Sequence, residues 1–128
     1  MAKKILNIVE SAYRATLEEQ DDTIVWLSHA MKRAGADLGV LLRGNAVACG
    51  VNGQDASGLS FGDKRQTQPP RLALDIAKLI ESGVEVFFVK EDAGERGIQA
   101  GDLIDNLTAV SKADLPRLLG DYDQICHW

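Results

Sequence analysis

Short apolar runs alternate with amphipathic segments along this chain, and this alternation constrains its fold more than any other feature. Val84 to Val89 is apolar nearly throughout, as is typical of a strand covered on both faces of a parallel sheet. Lys4 to Val9, Asp37 to Leu42, Leu103 to Val110 and Gln124 to Trp128 are predicted to supply the other strands. Short links between strands and helices then favour a parallel sheet with helices on both faces.

Amphipathic helices are predicted between these strands. Asp21 and Asp22 can cap the first helix, because their carboxylates suit its positive end. A second helix covers Leu72 to Ile80, and a third begins at Ser111. The small residues from Gly44 to Val51 predict a further short helix. With 128 residues and no linker-like segment, the whole chain is predicted to form one domain.

One segment, Gln54 to Gln68, is polar and is predicted to be a loop that Pro69-Pro70 closes. Its large apolar residues are Leu59 and Phe61. A loop of this length is unusual in a compact domain, and it indicates an interface or a lid. Leu59 and Phe61 are therefore candidates to dock on a neighbouring subunit.

Charge and composition exclude several classes of protein. The net charge is −5, and the Lys and Arg residues are scattered, so the clustered cations that bind nucleic acid are missing. No apolar run approaches the roughly 20 residues that a membrane-spanning helix needs. Two cysteines do not make a disulfide framework, and we expect a cytoplasmic protein.

The motifs of the commonest enzyme chemistries are missing from the sequence. It contains no G-x-G-x-x-G after a strand, no Walker A motif, no H-E-x-x-H, no C-x-x-C and no G-x-S-x-G. The two histidines, His29 and His127, stand far apart, whereas a catalytic zinc site needs three converging ligands. We therefore predict no metal and no cofactor.

Polar residues follow the predicted strands, where the ligand site of an open α/β sheet is expected. The candidate rim residues that share this placement are Tyr13, Arg14, Arg43, Asn45, Lys90, Glu91 and Arg96. They could bind a small anion or a partner chain, or simply fill loops. A further alternative is acid–base chemistry by Tyr13, Glu91 and Asp92, although no motif accompanies it.

Cys49 is the first candidate for a reactive thiol. If Gly44 or Asn45 caps the short helix, the helix dipole and the nearby Arg43 would favour a thiolate. The alternative is a small core residue, because unpaired cysteine is among the most buried residue types and alanines and glycine surround this one.

Cys126, in the predicted terminal strand, is the second candidate thiol. Strand alternation places its side chain on the face of Gln124 and Trp128, opposite His127, so a Cys–His pair is not implied. Its position near the chain end favours accessibility, whereas packing of the strand into the sheet would bury it.

Four segments, in this order and spacing, resemble the DsrE/DsrF/DsrH-like family of sulfur-transfer proteins. The resemblance covers nearly the whole chain, and the Arg-Gly-Ile sequence after the third strand is its most telling feature. The segments are Lys4 to Val9, Leu41 to Val47, Val84 to Val89 leading into Glu95-Arg96-Gly97-Ile98, and Asp121 to Ile125.

The resemblance implies a three-layer flavodoxin-like fold with a five-stranded, mostly parallel sheet. It also implies a role in intracellular sulfur trafficking, assembly as a homotrimer or hexamer, and a sulfur-relay protein as partner. Active members carry a persulfide on a cysteine after the third strand. Here the stretch from Val89 to Glu95 contains no cysteine.

Two hypotheses follow from the missing family cysteine. In the first, the protein takes part in sulfur trafficking, either with Cys49 as a relocated sulfur carrier of the sulfurtransferase type or as a non-catalytic subunit. In the second, it is an oligomeric binding or scaffold subunit without sulfur chemistry. The exposure and reactivity of Cys49 discriminate between them.

Overall fold

Five parallel strands form one sheet at the centre of the protein. A computed structural model describes residues 3–12 and 22–128. The strand order across the sheet is β6-β5-β2-β1-β7. The strands are β1 (Lys4–Val9), β2 (Asp37–Leu42), β5 (Glu85–Val89), β6 (Thr108–Val110) and β7 (Gln124–His127). A two-stranded antiparallel hairpin, β3 (Ser60–Phe61) and β4 (Lys64–Arg65), lies outside this sheet.

The apolar runs of the sequence occupy the three central strands. β1 pairs with β2 over six residue positions, from Lys4↔Asp37 to Val9↔Leu42. β5 continues the sheet from β2, with Val86, Phe87 and Phe88 at successive paired positions. Strands in these positions are covered on both faces, which explains why their sequences are apolar rather than alternating. The parallel five-stranded sheet predicted from the sequence is confirmed.

Among the described residues, four α-helices and three short 3₁₀ helices connect the strands. Asp22 caps the first helix: its Oδ1 accepts hydrogen bonds from the backbone N–H groups of Ile24 (2.9 Å) and Val25 (3.2 Å). The prediction of Asp22 as a cap is confirmed, whereas Asp21 lies outside the described residues. The helices are α1 (Thr23–Arg33), α2 (Leu72–Glu81), α3 (Lys90–Glu95) and α4 (Leu115–Gly120), and the 3₁₀ helices are Gly44–Gly50, Ala100–Asp102 and Lys112–Asp114.

The helices form two layers, one on each face of the sheet. The larger core lies on the side of α1 and α2 and includes Ile24, Ile76 and Val40. The smaller core lies on the other side, where Leu118 of α4 packs with Leu6 and other strand residues. The protein therefore has three layers, as the family resemblance implied. Within the described part of the chain, none of the helices combines the length and apolar character needed to cross a membrane.

The structure adds detail to the sequence analysis in three segments. In the charged segment from Lys90 to Gly101, α3 begins directly after β5 and Ala93 packs into the larger core. The segment Gln54 to Gln68 contains the β3–β4 hairpin, in which Gly62 (φ +61°) makes the turn. The fourth strand, expected as a short strand within Leu103 to Val110, is Thr108–Val110, and the segment before it approaches the 3₁₀ helix Gly44–Gly50.

Candidate functional site at the carboxyl edge of the sheet

The carboxyl ends of the strands form one edge of the sheet, and the chain segments that leave them are bonded to each other. The Arg43 N–H donates to the Val9 carbonyl (3.0 Å), and the Ala46 N–H donates to the Glu10 carbonyl (3.1 Å). The Glu10 N–H in turn donates to the carbonyl of Trp128 (3.1 Å). Backbone bonds therefore fix the positions of the side chains along this edge.

Glu10 is the centre of the first polar cluster at this edge. Its Oε1 lies 2.9 Å from Arg43 Nε and 3.0 Å from His127 Nε2. Arg43 follows β2, Glu10 follows β1, and His127 ends β7, so the cluster spans three neighbouring strands. The Arg43 and Glu10 side chains are both about 40% exposed. A ligand or partner at the surface can therefore reach them.

Asp92 is the centre of the second cluster and is nearly buried, at 7% exposure. Its Oδ2 accepts a hydrogen bond from the Gly44 N–H at 2.7 Å, and its Oδ1 lies 3.5 Å from Lys112 Nζ. These contacts join α3 to the start of the 3₁₀ helix Gly44–Gly50 and to the segment after β6. A buried carboxylate needs such partners, because desolvation would otherwise penalise its charge.

Arg96, at the carboxyl end of α3, extends the second cluster. Its Nε donates to Asn45 Oδ1 at 3.0 Å, and its Nη1 donates to the Asp92 carbonyl at 3.0 Å. Glu91 contributes from the other side, where its Oε2 accepts from the Lys112 N–H at 2.9 Å. Arg96 and Asn45 are thus fixed relative to each other although they lie far apart in sequence.

Four of the predicted rim residues belong to these two clusters: Arg43 to the first, and Asn45, Glu91 and Arg96 to the second. Lys90, the first residue of α3, has an exposed side chain. Tyr13 and Arg14 lie outside the described residues.

Sequence reasoning missed Glu10 and Lys112 at this edge, and it treated His127 only as an isolated histidine. Their positions in the sequence indicate a place at this edge, because Glu10 directly follows β1 and Lys112 stands two residues after β6.

Cys49 lies in the larger core and is 0% exposed. It is the sixth residue of the seven-residue 3₁₀ helix Gly44–Gly50, and no side chain caps that helix at its start. The positive end of a helix is its N-terminus, whereas Cys49 lies near the carboxyl end. The helix dipole therefore does not stabilise a thiolate at Cys49. Arg43, the expected cationic neighbour, is paired with Glu10.

Cys126 is more accessible than Cys49, because it is half-buried and β7 is an edge strand. It stands opposite Asn7 in the register of β1 and β7. Trp128, on the same face, donates from its indole Nε1 to Asn7 Oδ1 at 3.4 Å. The predicted alternation along the terminal strand is therefore consistent with these contacts.

The carboxyl edge carries both signs of charge in close proximity. Three of its cations, Arg43, Arg96 and Lys112, each have a carboxylate within 4 Å. Among the described residues, no group of three or more His, Cys, Asp or Glu side chains could hold a metal ion.

Comparison with known proteins finds similarity in structure but not in sequence. No protein-family model and no curated protein sequence matches this chain. The crystal structure of the E. coli ychN protein is similar over 100% of both chains, with a TM-score of 0.73 and 20% identity.

Two proteins of unknown function share the same architecture. The protein from Bacteroides thetaiotaomicron has a TM-score of 0.69 and 13% identity, over 98% of this chain and 95% of its own. The protein from Methanobacterium thermoautotrophicum has a TM-score of 0.62 and 10% identity, over 98% and 99%. At these identities the comparisons establish a shared fold.

Proposed function

We propose that this protein is a DsrE-like subunit of intracellular sulfur trafficking that binds a partner through the carboxyl edge and carries no persulfide on Cys49. The order of the four sequence segments supports the family assignment, and the full-length likeness to the ychN protein is consistent with it. The role is that of a binding subunit rather than of a sulfurtransferase.

One observation carries this proposal: the place where active family members hold their cysteine is occupied here by a carboxylate network. α3 follows β5 directly, and Asp92 within it is tied to Gly44 and Lys112. Persulfide transfer requires a thiolate that attacks a sulfur atom, and a carboxylate cannot replace it. Cys49 is fully buried, so an incoming sulfur donor would have no access to it in the native state.

A second candidate function is sulfur carriage by Cys126. Its partial exposure on an edge strand favours this alternative over carriage by Cys49. The sulfur atom would then be presented beside β7, on the face of Trp128, rather than in the crevice after β5.

Intact mass after incubation with polysulfide tests both functions on the wild type, Cys49→Ser and Cys126→Ser. We expect Cys49 to gain no sulfur. Loading that disappears only in Cys49→Ser, and that reduction reverses, would contradict the proposal and make Cys49 a relocated carrier. Loading that disappears only in Cys126→Ser would support the second function. A control protein with an exposed thiol shows that the polysulfide is active.

A further inference from the structure

Asn52 and Gly53 form a turn where the chain leaves the 3₁₀ helix Gly44–Gly50 and continues toward the β3–β4 hairpin. Both residues are exposed, and Gly53 has a φ of +78°. This left-handed conformation suits glycine and is typical of the third residue of a type II turn. The turn therefore presents to solvent the one Asn-Gly pair of the sequence.

Hydrogen bonds hold the main chain of this turn in place. The Asn52 N–H donates to the Asp102 carbonyl at 2.8 Å. From the other side of the turn, Gln54 Nε2 donates to the carbonyls of Ala48 (2.7 Å) and Val51 (3.0 Å). These bonds fix the backbone before Gly53, but they do not involve the side-chain amide of Asn52.

Two groups of the turn have no such bonds. Within residues 3–12 and 22–128, neither the side-chain amide of Asn52 nor the N–H of Gly53 has a hydrogen-bond partner. A Cβ at Gly53 would meet no atom within 4 Å, so the space around this backbone nitrogen is open. The Gly53 nitrogen can therefore approach the carbonyl carbon of the preceding side chain without obstruction.

The other three asparagines lack this combination. Asn7 is buried, and Asn45 accepts a hydrogen bond from Arg96 at 3.0 Å. Asn106 is exposed, but Leu107 follows it, and the leucine side chain hinders approach to its own backbone nitrogen. Exposure, an unbonded amide and a following glycine coincide only at residue 52.

We propose that Asn52 is a self-modification site, which deamidates in the folded protein without an enzyme. The Gly53 nitrogen attacks Asn52 Cγ to close a succinimide ring, and the side-chain nitrogen leaves as ammonia together with the proton from the Gly53 N–H. Water then adds to one of the two ring carbonyls and breaks its bond to nitrogen. The products are aspartate or isoaspartate, and the sum of the steps is hydrolysis of one amide.

The modification changes both charge and backbone path beside α2. Asn52 borders a hollow of about 400 Å³ that Asp55 also lines, and a second of about 290 Å³ that Asp105 lines. A new carboxylate makes this surface more acidic in a chain whose net charge is already −5. In isoaspartate the main chain also runs through the former Cβ, so the connection to the hairpin lengthens. This site goes beyond the proposed function, because it lies outside the carboxyl edge.

Isoelectric focusing during incubation at mildly alkaline pH and physiological temperature tests the proposal on the folded protein. We expect an acidic band that grows with time and migrates with Asn52→Asp. It should be lost in Asn52→Gln, whose longer side chain would have to close a less favourable ring. Asn106→Gln is the matched control and should form the band as the wild type does, because Asn106 is equally classed as exposed but lacks the glycine. Peptide mass spectrometry then identifies the modified residue.

Two results would overturn the proposal. An acidic band that persists in Asn52→Gln would assign the change to another residue. A folded wild type that forms no acidic band would show that Asn52 is stable in this turn, whether or not the same incubation in urea produces the band. The sulfur-loading assay reports on thiols and not on this amide, so failure of one proposal is separable from failure of the other.

Discussion

At the scale of single residues, Gly39 and Tyr122 show how closely the sheet is covered on the side of α4. A Cβ at Gly39, in the middle of β2, would clash with the Tyr122 hydroxyl and approach its Cζ to 3.1 Å. Burial raises the pKa of Tyr122, and the nearby carboxylates of Glu85, Asp37 and Asp121 add to this effect. The absence of a side chain at Gly39 therefore allows the tyrosine ring to lie against the strand.

Gly39→Ala should lower the free energy of unfolding by about 1–3 kcal/mol, because overpacking forces neighbouring groups to move. Urea denaturation measures this loss, and the same substitution in a Tyr122→Phe background should cost less since the hydroxyl is gone. Gly94→Ala is the matched control, because α3 leaves open space at that position. An equal loss for Gly39→Ala in both backgrounds would show that the tyrosine hydroxyl is not the obstacle.

At the scale of elements, α1 depends on its first turn. Asp22 is 0% exposed, and its carboxylate accepts from two backbone N–H groups that have no partner within the helix. Ser28, six residues later, receives a hydrogen bond from Asn7 of β1 at 3.0 Å. The cap thus sets where α1 begins, and the buried polar contact sets how the helix lies on the sheet.

Asp22→Ala should destabilise the protein by about 1 kcal/mol, because the cap is lost. Asp22→Asn keeps the accepting oxygen and should cost less than the alanine variant. The midpoint of urea unfolding, followed by far-ultraviolet circular dichroism, measures both. Identical midpoints for the alanine variant and the wild type would mean that the cap does not stabilise α1.

At the scale of the whole molecule, the two cysteines differ in solvent exposure because they lie in different parts of the three-layer fold. Cys49 lies in the core that α1 and α2 share with the strands, whereas Cys126 lies on the edge strand β7. Access to Cys49 therefore requires opening of the core, and access to Cys126 does not.

In the native state an aromatic disulfide reagent should label Cys126 well before Cys49. In a Cys126→Ser variant, labelling of Cys49 should be slow in water and should accelerate with urea in parallel with unfolding. In a Cys49→Ser variant, labelling should be fast without denaturant. Fast labelling of Cys49 in water would show that this core opens locally and would strengthen its candidacy as a sulfur carrier.

Local patterns in the sequence are sufficient to predict the fold class and most of the helices and strands. The apolar runs of β1, β2 and β5 and the capping carboxylate of α1 each involve only a few consecutive residues. Local sequence patterns therefore predict these strands and the start of this helix. The placement of Arg43 and Arg96 at one edge also followed from the sequence, because parallel strands bring their carboxyl ends together.

Which of these residues contact each other depends on how the strands and helices are arranged in three dimensions. The order β6-β5-β2-β1-β7 places the last strand beside the first and so brings His127 to Glu10. It also packs α3 against the 3₁₀ helix Gly44–Gly50, where Asp92 bonds to Gly44 and Cys49 is buried. Strand order and core packing depend on contacts between segments that are distant in the sequence. Local preferences along the chain do not specify which of these segments pair.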